Sequence, residues 1–204
     1  DIGRYEIKSR ERRILYIDNS IDIEDYPNTK KWLLDFKEQL SKRREAKKGV
    51  ISWYGLQWPR VKSELDIKEK ILIQRTRNEA LKQRIIATID EEGVYGMEGI
   101  YFIITKDEGV SLYFLLGILN SKLMNYLFAT KFLNLAIKAE YLKQVMIPSA
   151  SDKNIITLVK EILQTKRMNS GTDTSSLEHE IDQLVYQLYG LTDEEIAIVE
   201  GSNE

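Results

Sequence analysis

Basic side chains interleaved with aromatic rings are the residues of this sequence best suited to chemistry. Trp53, Tyr54 and Trp58 stand beside Arg60 and Lys62, and Arg75, Arg77, Lys82 and Arg84 follow shortly after. A guanidinium is a planar fork that fits phosphate oxygens or the major-groove edge of guanine. Indole, phenol and guanidinium planes can also stack on nucleobases. The competing reading buries the tryptophans as core anchors and leaves the arginines to solvent, because large aromatics are mostly buried.

Other chemistries are poorly supplied. With no cysteine, the sequence excludes thiol nucleophiles, zinc fingers, iron–sulfur sites and disulfides. The one histidine, His179, sits between Glu178 and Glu180 with no recognisable nucleophile nearby. Asp90-Glu91-Glu92 would need further carboxylates from separate elements to hold a divalent ion, so it reads as a solvated turn. Gly93, Gly96 and Gly99 follow that acidic run rather than joining a strand to a helix, and there is no Gly-x-Ser-x-Gly elbow. No catalytic residue and no metal ligand is assigned.

The net charge of −2 conceals an uneven distribution. Residues 41–87 hold thirteen Lys/Arg against five Asp/Glu, and residues 120–170 hold eight against three. Residues 171–204 hold nine acids and no Lys or Arg. Two basic stretches with an acidic tail suggest a polyanion-binding face. The longest apolar run, residues 112–119, is interrupted by Gly117 and falls far short of the roughly 20 residues of a membrane span. The first residue is Asp1 rather than Met, which reads as an excised domain or trimmed fragment, expected in the cytoplasm.

The elements that must position these side chains follow from periodicity. The first 25 residues suit a strand and a linker. Asn28-Thr29 offers an N-cap to a helix carrying Trp32, Leu33, Phe36 and Leu40, which ends at Gly49. Residues 51–60 read as a strand or ordered loop. Short buried-type strands are expected around 71–73, 85–89 and 100–104, and another at 145–147 before Pro148. A helix carries Leu112, Leu115, Leu116, Leu119, Leu123 and Leu127. Asp152 caps a further helix with Ile155, Val159 and Ile162, and capping boxes pair Ser175 with Glu178 and Thr192 with Glu195. The helix from Ser175 carries Leu177, Ile181, Leu184, Val185 and Leu188, a stripe expected to pack on the helix before it. The order predicts an α+β fold, a small mixed sheet with a central helix followed by C-terminal helices. Residues 1–150 form the α+β part and 151–204 a helical segment packed on it.

Four segments resemble one known family, in order. Lys70-Ile71-Leu72-Ile73 after Trp53-Tyr54-x-Leu56 resembles a strand of the TaqI-like C-terminal specificity domain. Tyr113-x-Leu115-Leu116-Gly117-Ile118-Leu119-Asn120-Ser121 is similar to its LGILNS helix, a motif shared with type I specificity subunits. Tyr141-Leu142-x-x-Val145-x-Ile147-Pro148 resembles the segment after it, departing at Met146 and Ser149. Glu180-Ile181-Asp182-x-Leu184-Val185-Tyr186-x-Leu188-Tyr189-Gly190-Leu191-Thr192-x-Glu194-Glu195 matches the family's C-terminal signature. The Asn/Asp-Pro-Pro-Tyr/Phe motif of the methyltransferases and the Pro-Asp nuclease pattern are absent from these residues.

The resemblance implies the target recognition part of an adenine-specific DNA methyltransferase or type IIG restriction–modification enzyme. It implies double-stranded DNA as partner, together with a methyltransferase domain, and where present a nuclease domain, of the same polypeptide. S-adenosylmethionine would belong to that parent enzyme and no cofactor to these residues, which are expected to be non-catalytic. Base-reading residues in this family vary with the target, so the DNA contacts expected here rest on side-chain chemistry: Trp53, Tyr54, Arg60, Arg75, Arg77, Arg84, Lys131 and Lys138. Arg75 and Arg77 are expected on one face beyond a strand end. The alternatives are a protein-coupling module of a restriction–modification complex, using the Leu177–Leu188 stripe, or half of a type I specificity subunit.

Overall fold

The computed structural model describes residues 1–8, 12–75, 83–96, 99–105, 109–132, 136–149 and 151–201. The chain divides into two compact units, one of residues 1–10 with 67–204 and the other of residues 11–66. This partition differs from a division at residue 150, because the C-terminal helices share one apolar cluster with the sheet.

In the larger unit, β1 (Ile2–Gly3) and β2 (Glu6–Ile7) form a minimal hairpin. The main sheet comprises β3 (Lys70–Gln74), β4 (Ala87–Asp90) and β5 (Ile100–Ile103) in the antiparallel order β4-β3-β5. Ile71 opposes Ile89 and Ile73 opposes Ala87, so period-two alternation sends these four to one face, into the apolar core. Lys70 and Asp90 form the last pair, on the other face. Their ion pair measures 2.9 Å, and neither side chain is exposed to solvent. Asp90 also accepts the N–H groups of Glu92, Gly93 and Val94, which folds the acidic run into a turn.

The smaller unit carries α1 (Pro27–Leu34), α2 (Lys37–Ser41), α3 (Arg44–Lys47) and α4 (Lys62–Leu65). The single helix expected from Asn28 to Gly49 is therefore three short ones, starting at Pro27 with Tyr26 as N-cap. Trp32 and Phe36 are exposed, so its apolar stripe lacks the tertiary packing that sustains a long helix. Ile17, Ile23 and Leu33 form the small core, with Ile21, Leu40, Trp53 and Tyr54 packed against it. Residues 12–18 form no strand, and residues 51–60 are an ordered loop.

The helical layer of the larger unit comprises α5 (Leu112–Asn120), α6 (Lys122–Thr130), α7 (Ala139–Leu142), α8 (Lys153–Met168), α9 (Ser175–Tyr189) and α10 (Asp193–Glu200). The helix expected through Leu127 breaks at Ser121, where α5 and α6 meet at a 58° bend. Ser121 is extended (ψ 157°), and its Oγ accepts the Met124 N–H as N-cap of α6. Gly117 lets α8 close on α5, since a Cβ there would lie 2.6 Å from Ile155 Cγ2. No strand forms at 145–147, where the segment before Pro148 joins no ladder.

The corner residue Asn120 acts as an extra piece of sheet. Its Oδ1 accepts the Ala87 N–H and its Nδ2 donates to the Ala87 carbonyl, both at 3.0 Å. Asn125 Oδ1 accepts the Ile85 N–H at 2.8 Å, so two buried side-chain amides blunt the outer edge of β4. Tyr5 N–H also donates to the Ala87 carbonyl, docking the N-terminal hairpin.

At the C-terminus, Asp152 caps α8 and Thr192 with Glu195 forms a capping box, as expected. The Ser175–Glu178 box does not form. Thr174 is the N-cap, and Glu178 instead takes the Thr174 hydroxyl and the Arg4 guanidinium. Ile181 and Val185 of the α9 stripe are fully buried with Ile155, Val159 and Ile162 of α8, while Leu177, Leu184 and Leu188 pack at the margin. Asp182 accepts the first N–H of α6, from Lys122, at 2.8 Å. Burial nevertheless pushes its carboxyl up to about 6.

Asn120→Ala should destabilise the fold by about 2–3 kcal/mol in urea titrations, because it orphans the Ala87 N–H within a buried edge. A second expectation concerns pH. A carboxyl held above its unfolded value of about 3.9 binds its proton more tightly when folded, so Asp182 contributes less stability as pH rises from about 4 to about 6. Glu91, lowered by Tyr113 and then Arg167, acts in the opposite sense; so does Glu200, where Lys122 and Tyr186 overcome its burial. The informative quantity is therefore the difference between proteins. Asp182→Asn should gain on wild type by about 2–3 kcal/mol between pH 4 and 7 in paired unfolding curves. A constant gap would show that Asp182 does not titrate in that window.

Candidate nucleic-acid interface

β3 leaves the sheet at Arg75, and the backbone there is fastened on both sides. The Arg75 N–H donates to the Gly99 carbonyl and the Arg75 carbonyl accepts the Ile137 N–H, each at 2.7 Å. Segments far apart in sequence thus meet at one end of the sheet. The exposed Arg75 guanidinium lies 5.8 Å from the ring centre of Tyr101 on β5. Lys138 follows Ile137, with its ammonium 5.4 Å from the ring centre of Tyr141. Tyr141, on α7, stacks on Phe132 with centroids 4.4 Å apart and planes at 15°. Phe132 in turn tilts against Phe128 of α6 at 4.9 Å. Lys131, at the C-cap of α6, lies 5.5 Å from the Phe132 ring centre.

The result is three exposed cations set over aromatic plates whose inner members belong to the core. The rings hold the cations near the surface through cation–π attraction while leaving their outer donors available to solvent. Tyr141 first, and Glu140 second, hold the Lys138 ammonium above the ordinary lysine value, so it is charged at neutral pH. The two ammonium groups can bind phosphate oxygens, and the Arg75 guanidinium can also address a guanine edge.

The expected site residues separate into distinct classes. Arg75, Lys131 and Lys138 come together. Arg84 does not join them: at 2% exposure its side chain is inside the fold and offers no donor to a groove, which corrects its assignment as a DNA contact. Arg77 lies outside the described residues. Trp53, Tyr54 and Arg60 belong to the smaller unit. There Trp53 and Tyr54 meet edge to face at 5.4 Å and pack on the small core, with Lys37 5.3 Å from the Trp53 ring centre. Trp58 is 70% exposed, so the core reading fails for this tryptophan. Sequence reasoning missed Tyr101, Phe132 and Tyr141. Their aromatic character was legible, but the stack depends on a tertiary meeting of α6 with α7.

His179 lines an open groove of about 500 Å³ between α8 and α9 with Asn154, Thr157 and Gln183. Among the described residues, no three His, Asp or Glu side chains converge as a metal site would require. None of the described helices is by itself long and apolar enough to cross a membrane, and the bent α5–α6 pair contributes to the core.

Residues 1–148 match the TaqI-like C-terminal specificity domain. The chain belongs to that family. Among its relatives is a putative type II restriction enzyme and methyltransferase of Methanocaldococcus jannaschii, 31% identical over 134 residues, which are 59% of this chain and 11% of the relative. A type II methyltransferase of Geobacillus stearothermophilus, M.BstVI, is 25% identical over 189 residues, 90% of this chain and 31% of the relative. The matched segments are thus a minor part of both relatives.

Within this specificity domain, the Phe132–Tyr141 stack makes a stability prediction. Tyr141→Leu retains apolar bulk but removes the ring, and should cost about 0.5–1.5 kcal/mol in urea unfolding. An unchanged midpoint would show that the stack does not hold α7 in place.

Proposed function

We propose that this specificity domain recognises double-stranded DNA in a sequence-specific manner for an adenine-specific methyltransferase of a type IIG-like restriction–modification system. The observation that carries this reading is the convergence of Arg75, Lys131 and Lys138, each over an aromatic ring at one end of the sheet. Lys131 and Lys138 contact phosphates, and Arg75, fixed by backbone bonds on both sides, reads a guanine edge. The domain itself is non-catalytic. S-adenosylmethionine binding and methyl transfer belong to a methyltransferase domain of the same polypeptide in the cytoplasm, and the target adenine leaves the helical stack to reach it. The family match and the two restriction–modification relatives support this role. Coupling through the α9 stripe is disfavoured because Ile181 and Val185 are buried within this chain.

Binding of the chain to a library of duplexes, at several salt concentrations, tests the reading. Lys131→Ala and Lys138→Ala should weaken every sequence alike, each lowering the slope of log affinity against log salt by about 0.9. Arg75→Ala should cost about 1–3 kcal/mol on the preferred sequence and relax preference at one base pair. Wild-type binding that is insensitive to salt, or absent, would refute DNA recognition.

A further inference from the structure

The loop at residues 51–60 holds a large side chain outward on a backbone conformation it rarely adopts. Trp58 has φ +53° and is 70% exposed. A non-glycine residue at positive φ is uncommon, and a bulky one is an outlier retained only where its surroundings enforce it. Pro59 after it favours extended backbone at negative φ for the preceding residue, so the positive φ of Trp58 must be enforced by the rest of the fold.

The flanks supply that constraint. On one side the Leu56 N–H donates to the Ile17 carbonyl at 2.7 Å, and the Gln57 amide donates to Glu45. On the other side the Arg60 carbonyl accepts the Tyr16 hydroxyl. Both anchors draw on the body of the smaller unit, and the indole between them projects into solvent. This is an expensive way to expose an apolar ring, and it commonly accompanies a binding role.

Charge narrows the partner. Glu45, the acceptor for Gln57, is a buried residue of α3. That helix and its C-cap also carry the exposed cations Arg44, Lys47 and Lys48. The loop that carries the indole is therefore bonded, through Gln57, to a cationic helix whose one acid is already paired with Arg44. An aromatic plate on a loop bonded to clustered cations fits a polyanion that also presents flat π-faces, which is a nucleic acid.

We propose that Trp58 is a base-stacking residue whose indole packs on a nucleobase at an opened step of duplex DNA. The loop holds the ring in position before DNA arrives, so little side-chain ordering remains for the moment of binding. This inference rests on the DNA-recognition reading but uses residues of the other unit.

A dye-labelled mixed-sequence duplex, titrated into the full chain, provides the test. Trp58→Ala should lower affinity about tenfold, the size expected for one base–aromatic stack. Its thermal midpoint and salt slope should match wild type, because stacking releases no counterion. Trp58→Phe should stay within about threefold of wild type, since a smaller ring still stacks. The duplex should quench indole emission in wild type, and both variants should lose that component. Wild-type affinity in Trp58→Ala, or quenching that persists in both variants, overturns the inference while leaving DNA recognition intact. A reduced salt slope in Trp58→Ala also overturns it, by assigning the loss to displaced cations. Failure of wild type to bind the duplex at low salt defeats the reading and the inference together.

Discussion

The larger unit depends on the side-chain amide of Asn120. An edge strand leaves backbone donors and acceptors unpaired, and β4 turns those of Ala87 toward the helices rather than toward another strand. Asn120 meets both because its amide presents an acceptor oxygen beside a donor N–H at the spacing of a peptide group. It must therefore stand at the end of α5, and the chain must turn there. Ser121 makes that turn stable by capping α6, and Asn125, one turn into α6, satisfies Ile85. The LGILNS run thus encodes a joint: glycine for the approach of α8, asparagine for the sheet edge and serine for the next helix.

Much of the acidic C-terminal region is used within the fold. Glu178 pairs with Arg4 at 2.7 Å, Asp182 accepts the Lys122 N–H, and Glu200 takes both Lys122 and the Tyr186 hydroxyl. Arg4 also donates to the Asn120 carbonyl, so the same corner gathers the N-terminal hairpin and α9. These acids are locked to specific partners around α6, instead of forming a diffuse negative field. The cationic end of the sheet is left with Glu140 as a carboxylate beside Lys138.

The two faces of β3 have different tasks. Ile71 and Ile73 supply the hydrophobic contact that joins sheet to helices, and Lys70 on the reverse face pairs with Asp90. A buried ion pair adds little net stability over an apolar pair, but removing one partner leaves an uncompensated charge. It therefore favours this strand register over slipped ones, in which Lys70 would lose its partner. A fixed register brings Arg75 to the point where Gly99, just before β5, and the segment at Ile137 can bond its backbone.

The sequence alone determined the α+β class, the three strands of the main sheet, the caps at Asp152 and Thr192, and the family. These are local properties: apolar period, capping chemistry and contiguous motifs are written in neighbouring residues. Side-chain chemistry also put Arg75, Lys131 and Lys138 among the expected DNA contacts. Tertiary structure decided that the segments carrying these three are linked through the Arg75–Ile137 backbone bond and the Phe132–Tyr141 stack, that Arg84 is buried and that Trp58 is exposed, because burial depends on what packs from distant segments. It also decided where helices break. Residues 112–127 share one helical period, yet the demand of β4's edge for an amide at residue 120 outweighs helix continuity. Likewise the stripe at Trp32 and Phe36 has helical spacing but no opposing surface, and a pattern without a partner cannot hold a long helix together.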